Sequence, residues 1–468
     1  MIGITTNYYE ENMQREEFIR SVSNDFINNN KSLYFGAGLS KNVNLPNWKD
    51  IFQLLINELK AQFIKLDSID VEDPDSYAVG EYIQGIVRDR NILFDKIAEI
   101  LKKSSPLNSE QQQLYEYLVR QEYNSIWTTN FDDIFENILK ENKYQVNVVD
   151  LSSGIDKYHL LKQKRTLYKI NGSISDSNRK LILTKNDYES YQDINKSFNS
   201  MLKRELICNT FLFIGCSFTD GILRPILREL KQIFKDDFRH YAIFVKSDDV
   251  KNQQLMIEDL QERYGVYSYV IEEKENVTQN LTSLLKTIYK YSINKNVFIS
   301  GSIEDPIDNE IHKNFINKLT NALYDHGYKI IGGVGKKIAY YIGSATSAYM
   351  ARGDETDRSK YLEQYFFYID DNNTREKMIN RARHTIFIYF PCFNNIEKMK
   401  NSGTYKELLI SKRNDNTLIP VVKTKIGSGD YCLSDEIDPI LQEAGDDDSI
   451  IRGIINLLDD RQSIIEAY

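Results

Sequence analysis

At 468 residues the chain is longer than one ordinary hydrophobic core supports, so two domains of unequal size are expected. With 41% hydrophobic and 27% charged residues, it has the composition of a folded protein and not of a largely disordered one. The net charge of -9 argues against a nucleic-acid binder, and no apolar run approaches the roughly 18 residues of a membrane-spanning helix.

Cys208, Cys216, Cys392 and Cys432 form no CxxC pair. A disulfide framework or a four-cysteine zinc site is therefore not expected, no metal is expected, and a reducing cytoplasm fits. The opening stretch, MIGITTNYYEENMQREEF, is polar and acidic and does not read as a signal peptide.

The first strand signal is SLYFGAGLS (32–40), followed by the helical pattern WKDIFQLLINELKAQF. Helical patterns dominate to about residue 122. Strand signals return as SIWTTNF (125–131), TLYKING (166–172), LILT (181–184), TFLFIGCSF (210–218) and HYAIFV (240–245), with helical patterns such as ILRPILRELKQIF (222–234) between them. A second cycle runs through NVFISGSI (296–303), a helix over 310–327, YKIIGGVG (328–335), a helix from Lys337 to about Tyr349, HTIFIYF (384–390), YKELLISKR (405–413) and TLIPVV (417–422). The polar stretch 351–372 reads as a loop. Strands alternating with helices predict an α/β protein of two three-layer, parallel-sheet domains, 1–288 and 289–468.

In the first cycle the strand ends are rich in glycine and small polar residues. Gly36-Ala37-Gly38-Leu39-Ser40 lets the backbone approach a pyrophosphate ahead of a helix N-terminus, although a tight turn without a ligand would use the same glycines. Thr129, Asn130 and Asp132 close a second strand, Asn171 and Ser173 a third, and Gly215, Cys216 and Ser217 a fourth. Carboxyl ends of parallel strands are where such sheets bind ligands, so these four ends describe one crevice. Capping remains an alternative role for Asp132, Ser40 and Ser217, and a turn role for Asn130.

This ordered set resembles the sirtuin superfamily over about residues 20–285. GAGLS is similar to its dinucleotide loop, TTNFD to its TxNxD segment, KINGS to its KxHG segment and GCSFTD to its GxSF loop. The resemblance implies an NAD site. Gly36, Ala37, Gly38, Ser40, Thr129, Asp132, Gly215 and Ser217 would hold the dinucleotide, Asn130 would be catalytic, and Asn171 would stand at the catalytic His position. The missing zinc module points away from protein deacylation and towards the zinc-free, sirtuin-like NAD hydrolases of bacterial antiphage systems. A carboxamide at 171 cannot accept a proton as imidazole does, but it can bond a ribose hydroxyl. The chain is therefore either a hydrolase with less base assistance or a silenced one. His159, the nearest histidine in sequence, precedes its strand and reads as a surface or packing residue.

In the second cycle Ser300-Gly301-Ser302, Gly332-Gly333-Val334-Gly335 and Gly403-Thr404-Tyr405-Lys406-Glu407 lie at strand ends or a helix start and suggest a phosphate-bearing ligand. They resemble the SLOG superfamily over about residues 293–468. The combined layout is similar to the effectors of the Thoeris antiphage system. That resemblance implies that a cyclic ADP-ribose isomer, made by a partner TIR protein, binds the SLOG domain and activates a homotetrameric NADase. Ser300, Gly301, Ser302, Gly333, Arg375, Gly403 and Glu407 would then be activator contacts. Lys398 is a weak candidate for a further family contact near Cys392, and Arg381 and Arg383 read as complements of a helix dipole. Four other readings stay open: a nucleotide-binding regulator without turnover, a deacylase, a filament-forming scaffold, and a nucleotide hydrolase centred on Glu407.

Overall fold

The structure is a computed structural model that describes residues 14–467 except 29, 42–44, 72–75, 103–106, 143, 145, 152–164, 177, 195, 219–221, 302–308, 335–337, 354, 367–371, 389–391, 394, 422–430 and 433–445. His159, Ser302 and Gly335 lie outside the described residues. The chain divides into two compact units, Met1–Tyr291 and Ser292–Tyr468.

The first unit is built on seven parallel strands: β1 (Asn30–Phe35), β2 (Ser125–Thr128), β3 (Asn147–Val149), β4 (Thr166–Lys169), β5 (Asn209–Ile214), β6 (His240–Val245) and β7 (Val266–Ile271). Their order is β3-β4-β2-β1-β5-β6-β7. Alternate residues of the central strands feed opposite cores, as a period of two requires. Leu33, Phe35, Ile126, Leu167, Leu212 and Ile214 join one cluster, while Tyr34, Trp127, Tyr168, Phe211 and Phe213 join the other. Helices cover both faces, so the sheet is doubly wound. The strand order reverses at β1 and β5, whose carboxyl ends carry the Gly36 and Gly215 loops.

The second unit repeats the plan with β8 (Asn296–Ser300), β9 (Lys329–Val334), β10 (Leu362–Phe366), β11 (His384–Ile388) and β13 (Thr417–Val421) in the parallel order β10-β9-β8-β11-β13. β12 (Cys392–Phe393) and β14 (Tyr431–Cys432) form a separate antiparallel pair. Here the reversal falls between β8 and β11. The long helix Asp447–Ala467 packs Ile450, Ile451, Ile454, Ile455 and Leu458 into the core.

Several local expectations change, and the three-residue edge strand β3 was not foreseen either. LILT is not a strand; Leu181 makes a single bridge to Gly172. The stretch expected as a loop at 351–372 contains β10, whose polar Glu363 and Gln364 hid an edge strand with only one well-covered side. β7 was missed because its residues alternate between buried and half-buried at the other sheet's edge.

Candidate functional site

The glycine turn after β1 and the turn after β5 are pressed together. Gly36 N donates to Ile214 O at 3.1 Å, and Gly38 N donates to Gly215 O at 3.0 Å. A Cβ on Gly36 would lie 2.7 Å from Gly215 O, and one on Gly38 would lie 2.7 Å from Gly215 Cα. Gly215 has φ +67°, and its Cβ would sit 2.2 Å from Leu39 N. Backbone proximity therefore demands all three glycines. Beside them a cavity of about 1140 Å³ opens over the carboxyl ends of β1, β5, β6 and β7. Ala37, Thr129 and Ser217 line it together with the three glycines.

Asn130 borders a side pocket of about 20 Å³ that shares Ala37, Trp48 and Thr129 with the large cavity. Its space suits about one water molecule. Asn130 is 7% exposed. Its Nδ2 donates to Ser40 Oγ at 2.6 Å and to Gly36 O at 3.3 Å. Ser40 Oγ donates onward to Asp132 Oδ2 at 3.0 Å, and Asp132 Oδ1 accepts from Ile134 N at 3.1 Å. Asp132 thus forms an Asx turn onto Ile134 N, ahead of the helix Ile134–Glu141 whose N-cap is Asp133, with one oxygen and anchors Ser40 with the other. Burial raises its carboxyl above the usual range, while Lys169 and the hydrogen bonds from Ile134 and Ser40 oppose that rise. Asn130 Oδ1 is buried without a hydrogen-bond partner.

Asn171 follows the neighbouring strand β4, which pairs with β2 through Thr128 and Lys169. It is 1% exposed, and neither its Oδ1 nor its Nδ2 has a hydrogen-bond partner. It lines neither cavity. Gly172, at φ +97°, turns the chain back so that Ile182 N bonds Asn171 O at 2.9 Å. Buried polar atoms are ordinarily paired, so the open Oδ1 of Asn130, beside the side pocket, marks a position where a ligand's hydroxyl would be welcome, whereas the unpaired Asn171 amide has neither cavity beside it.

In the second unit, Ser300, Gly301, Gly333 and Glu407 line a cavity of about 150 Å³ at the sheet's reversal point. A Cβ on Gly301 would meet Ile388 O at 1.9 Å, so only glycine fits between the ends of β8 and β11. Ser300 Oγ donates to Glu407 Oε2 at 2.6 Å, and Arg375 Nε lies 3.5 Å from Glu407 Oε1. Burial raises Glu407, against the pull of Ser300 and Arg375. Gly403 starts the helix Gly403–Arg413, capped by Ser402, and leaves room for the Arg375 guanidinium, which a Cβ would approach to 3.1 Å. Lys398 lies on the exposed side of the short helix Ile396–Asn401, away from this cavity's lining. Arg381 forks onto Glu363 of β10, with Nε 2.6 Å from Oε1, and Arg383 donates to Asp415 O at 2.7 Å. Specific partners thus replace the dipole role expected for Arg381.

Residues 124–269 match the SIR2-like domain, and residues 280–464 match the Sir2- and TIR-associating SLOG family. The chain joins a SIR2-like domain to a SLOG domain. It is 25% identical over 438 residues to NAD(+) hydrolase ThsA of Bacillus cereus (strain MSX-D12), covering 87% of each chain. It is 27% identical over 472 aligned positions to NAD(+) hydrolase ThsA of Enterococcus faecium, covering 93% of each. Defense-associated sirtuin 2 of Bacillus subtilis is 21% identical over 250 residues, which are 51% of this chain and 23% of that protein.

The match to the SIR2-like domain begins after the Gly36 turn, so that turn rests on its geometry. Among the described residues no group of three His, Cys, Asp or Glu could hold a metal ion, and no helix is long and apolar enough to cross a membrane. Sequence reasoning passed over Trp48 and quoted Lys169 in KINGS without giving it a role. Trp48 walls both cavities and packs edge-on to Phe131, with ring centroids 5.0 Å apart. Lys169, at the end of β4, is fully buried and bonds to Phe131 O at 3.2 Å, Asp132 O at 2.6 Å, Asp133 Oδ1 at 3.0 Å and Glu136 Oε1 at 2.6 Å. A lysine ending an otherwise apolar strand was the available signal.

Proposed function

We propose that this chain is an antiphage effector that hydrolyses NAD to nicotinamide and ADP-ribose. The observation that carries the reading is Asn130, a buried carboxamide whose Oδ1 is left open beside the three-glycine crossing. The relatives named NAD(+) hydrolase support the choice of substrate. In this reading the glycine turns and Ser217 receive the dinucleotide, with Ser40, Thr129 and Asp132 beside the ribose that bears nicotinamide. Nicotinamide leaves through an oxocarbenium-like transition state. Asn130 orients the attacking water or the ribose hydroxyls through Oδ1, and Asn171, which lines neither cavity, would bond a ribose hydroxyl only once the site has opened, with no proton transfer.

The side pocket at Asn130 holds about one water, so it must widen before the nicotinamide end enters. That narrowness supports a gated enzyme. The gate would answer to a cyclic ADP-ribose isomer from a TIR partner, bound at Ser300, Gly301, Ser302, Gly333, Arg375, Gly403 and Glu407. Glu407 would accept from ribose hydroxyls or an adenine amino group, and Arg375 would face a phosphate. The working form would be a cytoplasmic homo-oligomer.

Nicotinamide release from NAD, measured with and without cyclic ADP-ribose isomers, tests this. Ligand-stimulated release by the unaltered chain, reduced roughly 100-fold or more by Asn130→Ala, is the expected result. A second reading, a nucleotide-binding regulator without turnover, is favoured by the carboxamide at 171. It predicts saturable NAD binding, and release only after Asn171→His.

A further inference from the structure

Asn130 is useful only if its amide faces one way. Gly36 O can only accept a hydrogen bond, so the amide atom beside it must be Nδ2, and Oδ1 is the atom left open. Ser40 Oγ accepts from that Nδ2 and spends its own proton on Asp132 Oδ2. The direction of these bonds depends on Asp132 being an acceptor. If Asp132 presented a donor to Ser40, the hydroxyl could turn its proton towards Asn130 and favour the flipped amide.

Lys169 holds the acceptor in place. Its ammonium donates to the carbonyls of Phe131 and Asp132, the two residues after Asn130, and is paired with Asp133 and Glu136. Ser173 Oγ donates to Asp133 Oδ1 at 3.2 Å, Ser175 also donates to Asp133, and Ile174 N donates to Phe131 O at 3.1 Å. The β2 and β4 ends are therefore stitched together around one buried ammonium. A structural lysine needs only its counter-charges, whereas this one also fixes the backbone that carries Asn130 and Asp132.

We infer that Lys169, Asp132 and Ser40 form a positioning relay that, together with Gly36 O, holds the direction of the Asn130 amide and leaves Oδ1 open to the ribose. The inference rests on the hydrolase reading of the site.

The groups facing Asp132 are Lys169 at the end of β4, its sequence neighbour Asp133, the Ser40 hydroxyl, and Tyr115 of the helix Ser109–Arg120. Lys169 opposes the rise that burial imposes on Asp132. Removing the ammonium therefore moves the protonation of Asp132 to higher pH, and with it the acid limb of the rate profile.

The test compares the unaltered chain with Lys169→Met/Glu136→Gln, which removes both members of a buried ion pair, and with Asp132→Asn, which keeps shape but supplies a donor. The probes are NAD turnover in the presence of cyclic ADP-ribose isomers, its pH profile, thermal unfolding and a neutron crystal structure of each variant, in which amide N and O are distinguished. The relay predicts about 100-fold lower kcat for both variants, with KM within about threefold for the double variant. It also predicts an acid limb at higher pH for the double variant and none for Asp132→Asn. The crystal structures are expected to show Asn130 Nδ2 turned away from Gly36 O. If the double variant does not fold, Asp132→Asn carries the same comparison. Folded variants that keep kcat and the acid limb, or keep the Asn130 amide on Gly36 O and Ser40 Oγ, overturn the relay. An unaltered chain that releases no nicotinamide under any nucleotide overturns the hydrolase reading; the Asn130 orientation in the variant structures then still decides the relay.

Discussion

A single side chain can bind the fold to pH, and His240 is placed to do so. It opens β6, is 2% exposed, and accepts a hydrogen bond from Phe211 N at 3.2 Å through Nδ1. Its proton therefore sits on Nε2, which has no hydrogen-bond partner among the rings of Phe211, Phe213 and Phe238. Burial lowers its pKa from 6.5 to about 3. The folded chain refuses a proton that the unfolded chain takes up, so stability is fully present above pH 6.5 and is lost as pH falls towards 3. Between pH 7.5 and 5 the loss from this group is expected to be about 2 kcal/mol. His240→Gln keeps an acceptor for Phe211 N and removes the titration. Urea unfolding at the two pH values should show a smaller difference for the variant by about that amount. An unchanged difference would mean that His240 gains a proton inside the fold.

At the scale of elements, the crossing of the β1 and β5 turns is the part of the site most dependent on backbone geometry. Gly215→Ala would have to hold a positive φ and clear Leu39 N, to which its Cβ lies at 2.2 Å. No flexible side chain is available to yield, so the two turns must separate. The expected cost is roughly 2 kcal/mol or more, with NAD binding weakened in step. Thermal unfolding and NAD titration calorimetry check this; a variant with unchanged melting and affinity would show that the turns are not held together. This crossing also illustrates what the sequence made legible. Runs such as LYF, IWT and FLFI, buried on both faces, announced parallel strands, and glycine or small polar residues at their ends announced the crevice. β10 and β7 escaped because edge strands have one poorly covered side, which dilutes the apolar run. The side-chain wiring escaped for a different reason. Lys169 lies 36 residues from Asp133 in sequence, and nothing local in either segment signals that pairing. Asn171 was legible as a departure from a resembled motif, but the complete burial of its amide was not.

For the molecule as a whole, the proposed gating makes a claim about coupling. A SLOG ligand can open the SIR2-like site only to the extent that it binds the open state more tightly than the closed one; tight binding to both shifts nothing. Raising the open fraction from about 1% to about half requires roughly a 100-fold preference, or about 2.7 kcal/mol. Coupling of this kind is reciprocal, so NAD must tighten the SLOG ligand by the same factor by which that ligand tightens NAD. Asn130→Ala makes the measurement possible because NAD is expected to persist in its site unhydrolysed. The full chain carrying that change would be titrated with each cyclic ADP-ribose isomer, in the presence and absence of saturating NAD, and then in the reverse order. Equal enhancement factors in both directions, well above one, are the expected outcome for the activating isomer. An isomer that binds the SLOG domain with the same affinity whether or not NAD is present cannot be an equilibrium activator. If every isomer behaves so, the two domains share a chain without sharing a binding equilibrium, and the gated reading fails even where each domain binds its own nucleotide.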